Sequence, residues 1–237
     1  MNLLLIDNTI DPDSWGAGEL AGSLRQAADA TIWVRRAPHD DLPDLSALRR
    51  FDRVLLSGSR TAATETAPWI SRLDELIRHC LDRSIPILGV CYGHQALARV
   101  LGSATGTAGV GRSATPEIGW TEICRIPSTK GPDLLSGLPE KFHSFSVHYD
   151  EVISLPQDAE CLASSDRCRI QSFALRDRPA FGVQFHPERG VEAGKRTLAS
   201  ASRRNLPFAL LRPRDGHRLY SPEVAKVVFG NFMKGLR

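Results

Sequence analysis

Short apolar runs separated by amphipathic stretches dominate the first hundred residues. Leu3 to Ile6 is unbroken and apolar and predicts a buried strand. Leu20, Ala21, Leu24 and Ala28 fall on one face of a helix over Gly18 to Ala28. Thr31 to Val34 and Arg53 to Leu56 predict further strands. Trp69, Ile70, Leu73, Leu76, Ile77, Cys80 and Leu81 recur at helical spacing and give the clearest helix of the chain. Ile85 to Val90 predicts another buried strand. His94 to Leu101 predicts a helix with Ala96, Leu97, Val100 and Leu101 inward and Gly102 placed to stop it. Strands joined by helices imply an α/β fold, with a mostly parallel central sheet and helices on both faces.

The pattern changes after residue 120. Thr121 to Ile126, Phe142 to His148, Glu160 to Ser164, Ile170 to Leu175 and Pro179 to Phe185 are strand candidates separated by turn residues. Some are expected to extend the sheet and others to form a small antiparallel layer. Val224, Val227, Val228 and Phe232 predict a closing helix from Pro222 to Met233. No linker divides the chain, so residues 1–237 are expected to form one domain.

Composition narrows the function classes. A chain of 237 residues with 42% hydrophobic and 24% charged residues is ordinary for a globular protein. A net charge of +3, without aromatics interleaved among basic clusters, gives no case for nucleic acid. The opening Met1 to Asp7 is too short for a signal peptide or a membrane span, which implies a cytoplasmic location. Five cysteines (Cys80, Cys91, Cys124, Cys161, Cys168) form no Cys-x-x-Cys pair, so neither a disulfide framework nor a metal site is expected. Residues 189–218 carry eight Lys or Arg against Glu192 and Asp215, a charge of +6 that leaves about −3 for the rest. This segment reads as a basic surface insertion, either solvated or docking an acidic partner.

The candidate chemistry begins at Gly89-Val90-Cys91-Tyr92-Gly93-His94-Gln95. A strand that stops at Gly-x-Cys-x-Gly and restarts as a helix is a nucleophile elbow with sulfur in place of oxygen. The glycines permit the sharp turn, and the helix N-terminus favours a thiolate. A cysteine needs a base as well. His39, His79 and His217 lie in polar or helical surroundings, and His94 sits on the elbow helix itself. His148-Tyr149-Asp150 and His186-Pro187-Glu188 each set a carboxylate two residues after a histidine, where it could orient the ring. His186 ends the more apolar strand, at the edge where parallel sheets place their sites. Both histidines stay open on this ground alone.

The elbow, followed 95 residues after its cysteine by His186-Pro187-Glu188 within Gly182-Val183-Gln184-Phe185-His186-Pro187-Glu188, resembles the class I glutamine amidotransferases. The resemblance runs from residue 1 to about 190, with the last helix added. It implies a flavodoxin-like fold, with Cys91 as nucleophile, His186 as general base and acid, and Glu188 as the residue orienting the imidazole. It also implies that Tyr92 and the Ser57-Gly58-Ser59 loop, through Gly58 and Ser59, supply oxyanion donors. Gln95 and the Ser146-Val147-His148-Tyr149 segment, through His148 and Tyr149, would hold the substrate. No cofactor is implied. The activity implied is hydrolysis of L-glutamine through a γ-glutamyl thioester, with ammonia passed to a separate synthase, since none is fused. A γ-glutamyl hydrolase or peptidase would use the same triad. The opening Leu4-Leu5-Ile6-Asp7-Asn8 resembles the subunits serving anthranilate and aminodeoxychorismate synthases, although Thr9-Ile10-Asp11-Pro12 then departs from them. The loop Ser57-Gly58-Ser59-Arg60 stands where many members have Pro-Gly-Pro-Gly, or Gly-Gly-Pro in the GMP synthase branch.

Overall fold

A computed structural model describes the chain except residues 12–15, 106–108, 205, 207 and 236–237; of residues 103–105 it describes the backbone alone. The unbroken apolar runs become strands buried on both faces. Strand β1 (Asn2–Asp7) pairs in parallel with β2 (Thr31–Arg36) and β3 (Arg53–Leu56), and β3 pairs with β4 (Ile87–Val90). Leu3, Leu5, Leu55 and Leu88 point to one side, into a core closed by α1 (Ala17–Ala27) and α6 (Pro222–Lys234). Leu4, Ile6, Val54, Leu56 and Ile87 point to the other, under α2 (Pro68–Asp82) and α3 (Tyr92–Thr105). Residues i and i+1 of a strand face opposite ways, so a run with no polar position requires helices on both sides.

The second half continues this sheet instead of building a separate layer. Strands β5 (Gly109–Arg125), β6 (Lys141–Ser154), β7 (Ala159–Ser164), β8 (Ser172–Leu175) and β9 (Ala180–Val183) complete the order β2-β1-β3-β4-β9-β8-β7-β5-β6. The pairs from β2 to β9 are parallel, and those from β9 to β6 are antiparallel. The small antiparallel layer expected from the sequence is therefore the antiparallel half of one mixed sheet. Its largest unit is the long β5–β6 hairpin.

Other expectations differ as well: β5 starts well before Thr121 and β6 runs past His148. Helix α3 starts at Tyr92 and runs through Gly102, which stays helical. A mid-helix glycine costs about 1 kcal/mol against alanine, and the burial of Leu97, Val100 and Leu101 offsets it. The basic segment is not a mere surface loop. It contains α4 (Val191–Ser202) and the short α5 (Gly216–Leu219), and Leu198 and Ala201 pack on Ile118, Trp120 and Phe145 in a third cluster. Residue 211 then bridges to β5, with Leu211 N–H donating to Ile118 O at 2.8 Å and Trp120 N–H to Leu211 O at 3.0 Å. Among the described residues no helix is long and apolar enough to cross a membrane.

Candidate active site

Strand β4 ends at Val90, and the chain reverses at Cys91, whose φ is 53°. A non-glycine residue held there stores roughly 1–3 kcal/mol of backbone strain, which the surrounding structure must override. Neighbours do so: Cys91 N–H donates to Val183 O at 2.8 Å, and Gln95 N–H closes the first turn of α3 onto Cys91 O at 3.1 Å. The flanking glycines are required by close approach. A Cβ on Gly89 would lie 2.3 Å from the Gly93 carbonyl, and one on Gly93 would lie 2.5 Å from Leu56 O. The sulfur is left nearly buried, 3.7 Å from the carbonyl oxygen of Val147 on β6.

Adjacent strands deliver the histidine. Strand β9 lies beside β4, pairing Gly182 with Gly89 and Val183 with Val90, so the two chains leave the sheet at the same edge. Three residues past β9, His186 N–H donates to Phe145 O at 2.8 Å and fixes the turn to β6. The His186 ring donates from Nδ1 to Glu188 Oε1 at 2.7 Å, and both side chains are buried. Nδ1 meets a carboxylate, so it carries the hydrogen. Nε2 has no well-aligned hydrogen bond among the described residues, and Cys91 is close enough for its charge to act on the ring. Burial favours the neutral ring. The negative charges of Glu188 and of Cys91 outweigh it and hold His186 up at about 9. For Glu188, burial pushes toward the protonated acid, but the charged His186 prevails and the carboxyl is held below its usual range. At neutral pH this arrangement is an imidazolium beside a sulfur, with a buried carboxylate behind it.

Gly58 closes the site from the β3 side. A Cβ there would lie 3.1 Å from His186 Cε1 and 3.8 Å from Cys91 Sγ, so its backbone abuts both groups. Tyr92 opens α3, where the first N–H groups of a helix lack partners in the helix. Ser59 makes a local turn, its hydroxyl donating to Thr61 Oγ1 at 3.0 Å and accepting Thr61 N–H at 3.1 Å. The loop starts from a firm anchor: Ser57 N–H donates to Ile6 O, and Asn8 donates through its side chain to Ser57 O at 2.8 Å.

The side chains of the other sequence candidates make contacts of their own. Both ring nitrogens of His148 are engaged, Nε2 with Glu117 Oε2 at 2.9 Å and Nδ1 with Asp150 O at 3.1 Å. It therefore has no nitrogen left to serve Cys91. The backbone carbonyl of Asp150, not its carboxylate, orients this ring. Tyr149 packs against Phe208 with Arg112 over its ring. The Gln95 amide donates to Asp150 O at 2.7 Å and to Gln184 Oε1 at 3.0 Å. His94 is fully buried against Phe173, and burial pushes it down to about 3. Glu117 escaped the sequence reading because it lies in a polar stretch without periodicity. Asp150 was visible only as a carboxylate near His148. Among the described residues no group of three or more His, Cys, Asp or Glu could hold a metal ion.

Comparison with known proteins agrees with this geometry. The family model described as "Glutamine amidotransferase class-I" matches residues 21–202. The chain belongs to the class-I glutamine amidotransferase family. The match extends the sequence resemblance past residue 190 to the end of α4. The chain is similar to the glutamine-hydrolysing GMP synthase component of Saccharolobus solfataricus, which is one subunit of that synthase. The two are 34% identical over 68% of this chain and 81% of the relative. It is 40% identical to the GMP synthase of Aeropyrum pernix over 73% of this chain, yet spans only 32% of that longer protein. In fold it matches a glutamine amidotransferase of Methylobacillus flagellatus, with a TM-score of 0.80 at 23% identity, covering 100% of this chain and 95% of that one.

Proposed function

We propose that this protein is a cytoplasmic glutaminase subunit that hydrolyses L-glutamine and passes ammonia to a separate synthase. The observation that carries the reading is the strained Cys91 at the end of β4 beside the His186–Glu188 pair at the end of β9. The Cys91 thiolate attacks the side-chain carboxamide of glutamine. The backbone N–H groups of Tyr92 and of the Gly58–Ser59 loop receive the oxyanion, a contribution of about 2.7–4 kcal/mol per donor. His186, held as the imidazolium, protonates the departing ammonia, and Glu188 keeps the ring aligned and its charge compensated. A γ-glutamyl thioester remains on Cys91. Water, deprotonated by the now neutral His186, releases glutamate. The backbone of β6 from Ser146 to Tyr149 lines the cleft over the sulfur and holds the α-amino and α-carboxylate groups. Gln95 braces that strand from below. Because one relative named above is a GMP synthase and another is a component of one, a GMP-forming synthase is the partner we favour.

The deciding experiment measures glutamate and ammonia released from glutamine by the purified chain, with and without such a synthase. Turnover abolished by Cys91→Ala is expected. Cleavage of γ-glutamyl peptides without any glutamine turnover would overturn the reading in favour of a γ-glutamyl hydrolase.

A further inference from the structure

The loop that carries Gly58 and Ser59 contains no proline between Ser57 and Ala67, so nothing in its own covalent structure stiffens it. Its upstream end is tied to β1 through Ser57. Its downstream end is tied at Ala63, which is fully buried. Ala63 O accepts Arg99 Nη1 of α3 at 2.9 Å, and Ala63 N–H donates to Asp150 Oδ2 of β6 at 2.8 Å. The Asp150 side chain is thus the one link among the described hydrogen bonds from this loop to the strand that passes over Cys91.

Asp150 is itself held from three sides. Its carbonyl oxygen accepts Gln95 from the elbow helix and the Nδ1–H of His148. His148 is braced by Glu117 on β5, and Glu117 also accepts Gln171 Nε2 at 2.6 Å and Ser165 Oγ at 2.7 Å. The β5–β6 register slips between Arg112 and Glu117, and directly after the slip Glu117 stands opposite His148. Such an irregularity re-aims side chains. Here it brings a buried carboxylate onto the histidine that fixes Asp150. The other carboxylate oxygen of Asp150 faces Arg112 at 3.5 Å, near the surface.

We propose that Asp150 is a positioning residue that sets the oxyanion-donating loop by accepting the Ala63 N–H, with His148 and Glu117 as its support. The inference rests on the function proposed above, because the loop matters to rate only if it receives an oxyanion. Donors aimed at the oxyanion act mainly in the transition state, so loosening them lowers kcat more than it raises KM.

The test compares Asp150→Ala with Asp150→Asn in the full chain. Asparagine keeps an oxygen that can accept the Ala63 N–H; alanine does not. Asp150→Ala is expected to lower kcat for glutamine about a hundredfold, the scale of losing one oxyanion donor, with KM moving far less. Asp150→Asn is expected to recover most of that loss. Alkylation of Cys91 by iodoacetamide forms no oxyanion and should proceed at the wild-type rate in both variants. Equal losses in kcat and alkylation would mean general collapse of the site and would overturn the inference, as would an unchanged kcat in Asp150→Ala. If wild type shows no Cys91-dependent glutamine turnover, the proposed function fails instead. Amide exchange then still decides: faster exchange across residues 58–66 in Asp150→Ala alone supports the clamp, and unchanged exchange refutes it.

Discussion

The pairing of His186 with Glu188 decides how the site behaves with pH. Burial alone would make this imidazole neutral at pH 7, and a neutral ring could not hand a proton to departing ammonia. The carboxylate 2.7 Å away and the Cys91 charge reverse that and hold the ring at about 9. Glu188→Gln separates charge from orientation, because the glutamine oxygen can still accept the Nδ1 hydrogen while the negative charge is gone. The value for His186 must then fall, since the foremost of the effects that raise it has been removed. The alkaline limb of kcat/KM is expected near pH 9 in wild type and at clearly lower pH in Glu188→Gln, with a loss at neutral pH of up to about a hundredfold, the lower end of the range for general acid–base catalysis. A pH–rate profile of both proteins checks this; coincident alkaline limbs would show that Glu188 acts through geometry alone.

At the level of elements, the elbow is a packing solution as much as a chemical one. Helix α3 can begin directly after Cys91 only because Gly93 lets it lie against β3. A Cβ on Gly93 would meet Leu56 O at 2.5 Å, and backbone cannot swing aside as a flexible side chain can. Gly93→Ala therefore sets two effects against each other. Helix propensity favours alanine by about 1 kcal/mol, whereas overpacking a buried contact costs about 1–3 kcal/mol. The contact lies far inside van der Waals distance, so the clash wins. Net destabilisation of about 1–2 kcal/mol is expected in urea unfolding, and a stabilised variant would refute the packing argument. These glycines were legible in the sequence because they bracket a cysteine after an apolar strand. The alternating β1 to α3 elements were legible for the same reason: large apolar side chains repeat at the strand or helix period. Helix α4 was not, since its inner face is Ala193, Gly194, Leu198 and Ala201, with one large apolar residue among charges. The first half of β5 was hidden too, because Arg112 to Pro116 has no apolar alternation. Its role is to carry Glu117 to His148, a contact between residues 31 apart that no local pattern encodes.

Across the whole molecule, the C-terminal edges of parallel strands gather the site: β1 contributes Asn8, β3 the Gly58 loop, β4 the cysteine, and β9 the histidine and its carboxylate. The antiparallel half then brings β6 to within 3.7 Å of the Cys91 sulfur through Val147 O, so the mixed sheet joins the edge that carries Cys91 to a covering strand. Concentrating buried charge at that edge links the stability of the entire fold to pH. His186 is raised from 6.5 to about 9 in the folded protein, so its contribution is complete below pH 6.5 and is lost as pH rises toward 9. Glu188 is lowered from 4.5, so its contribution is complete above pH 4.5 and is lost as pH falls through its lower folded value. Together they favour the folded state most between about 4.5 and 6.5. The double variant His186→Leu/Glu188→Leu removes both charges while filling much of the same space. The difference in Tm between wild type and this variant, followed from pH 3 to pH 10, should be most favourable to wild type between pH 4.5 and 6.5 and should decline on either side. Above pH 9 the variant should be the more stable protein, because apolar side chains of similar volume often outperform a buried ion pair that has lost its proton. A difference that stays flat across that range would mean that the pair is not ionised in the folded state, and the imidazolium assigned to His186 would have to be abandoned.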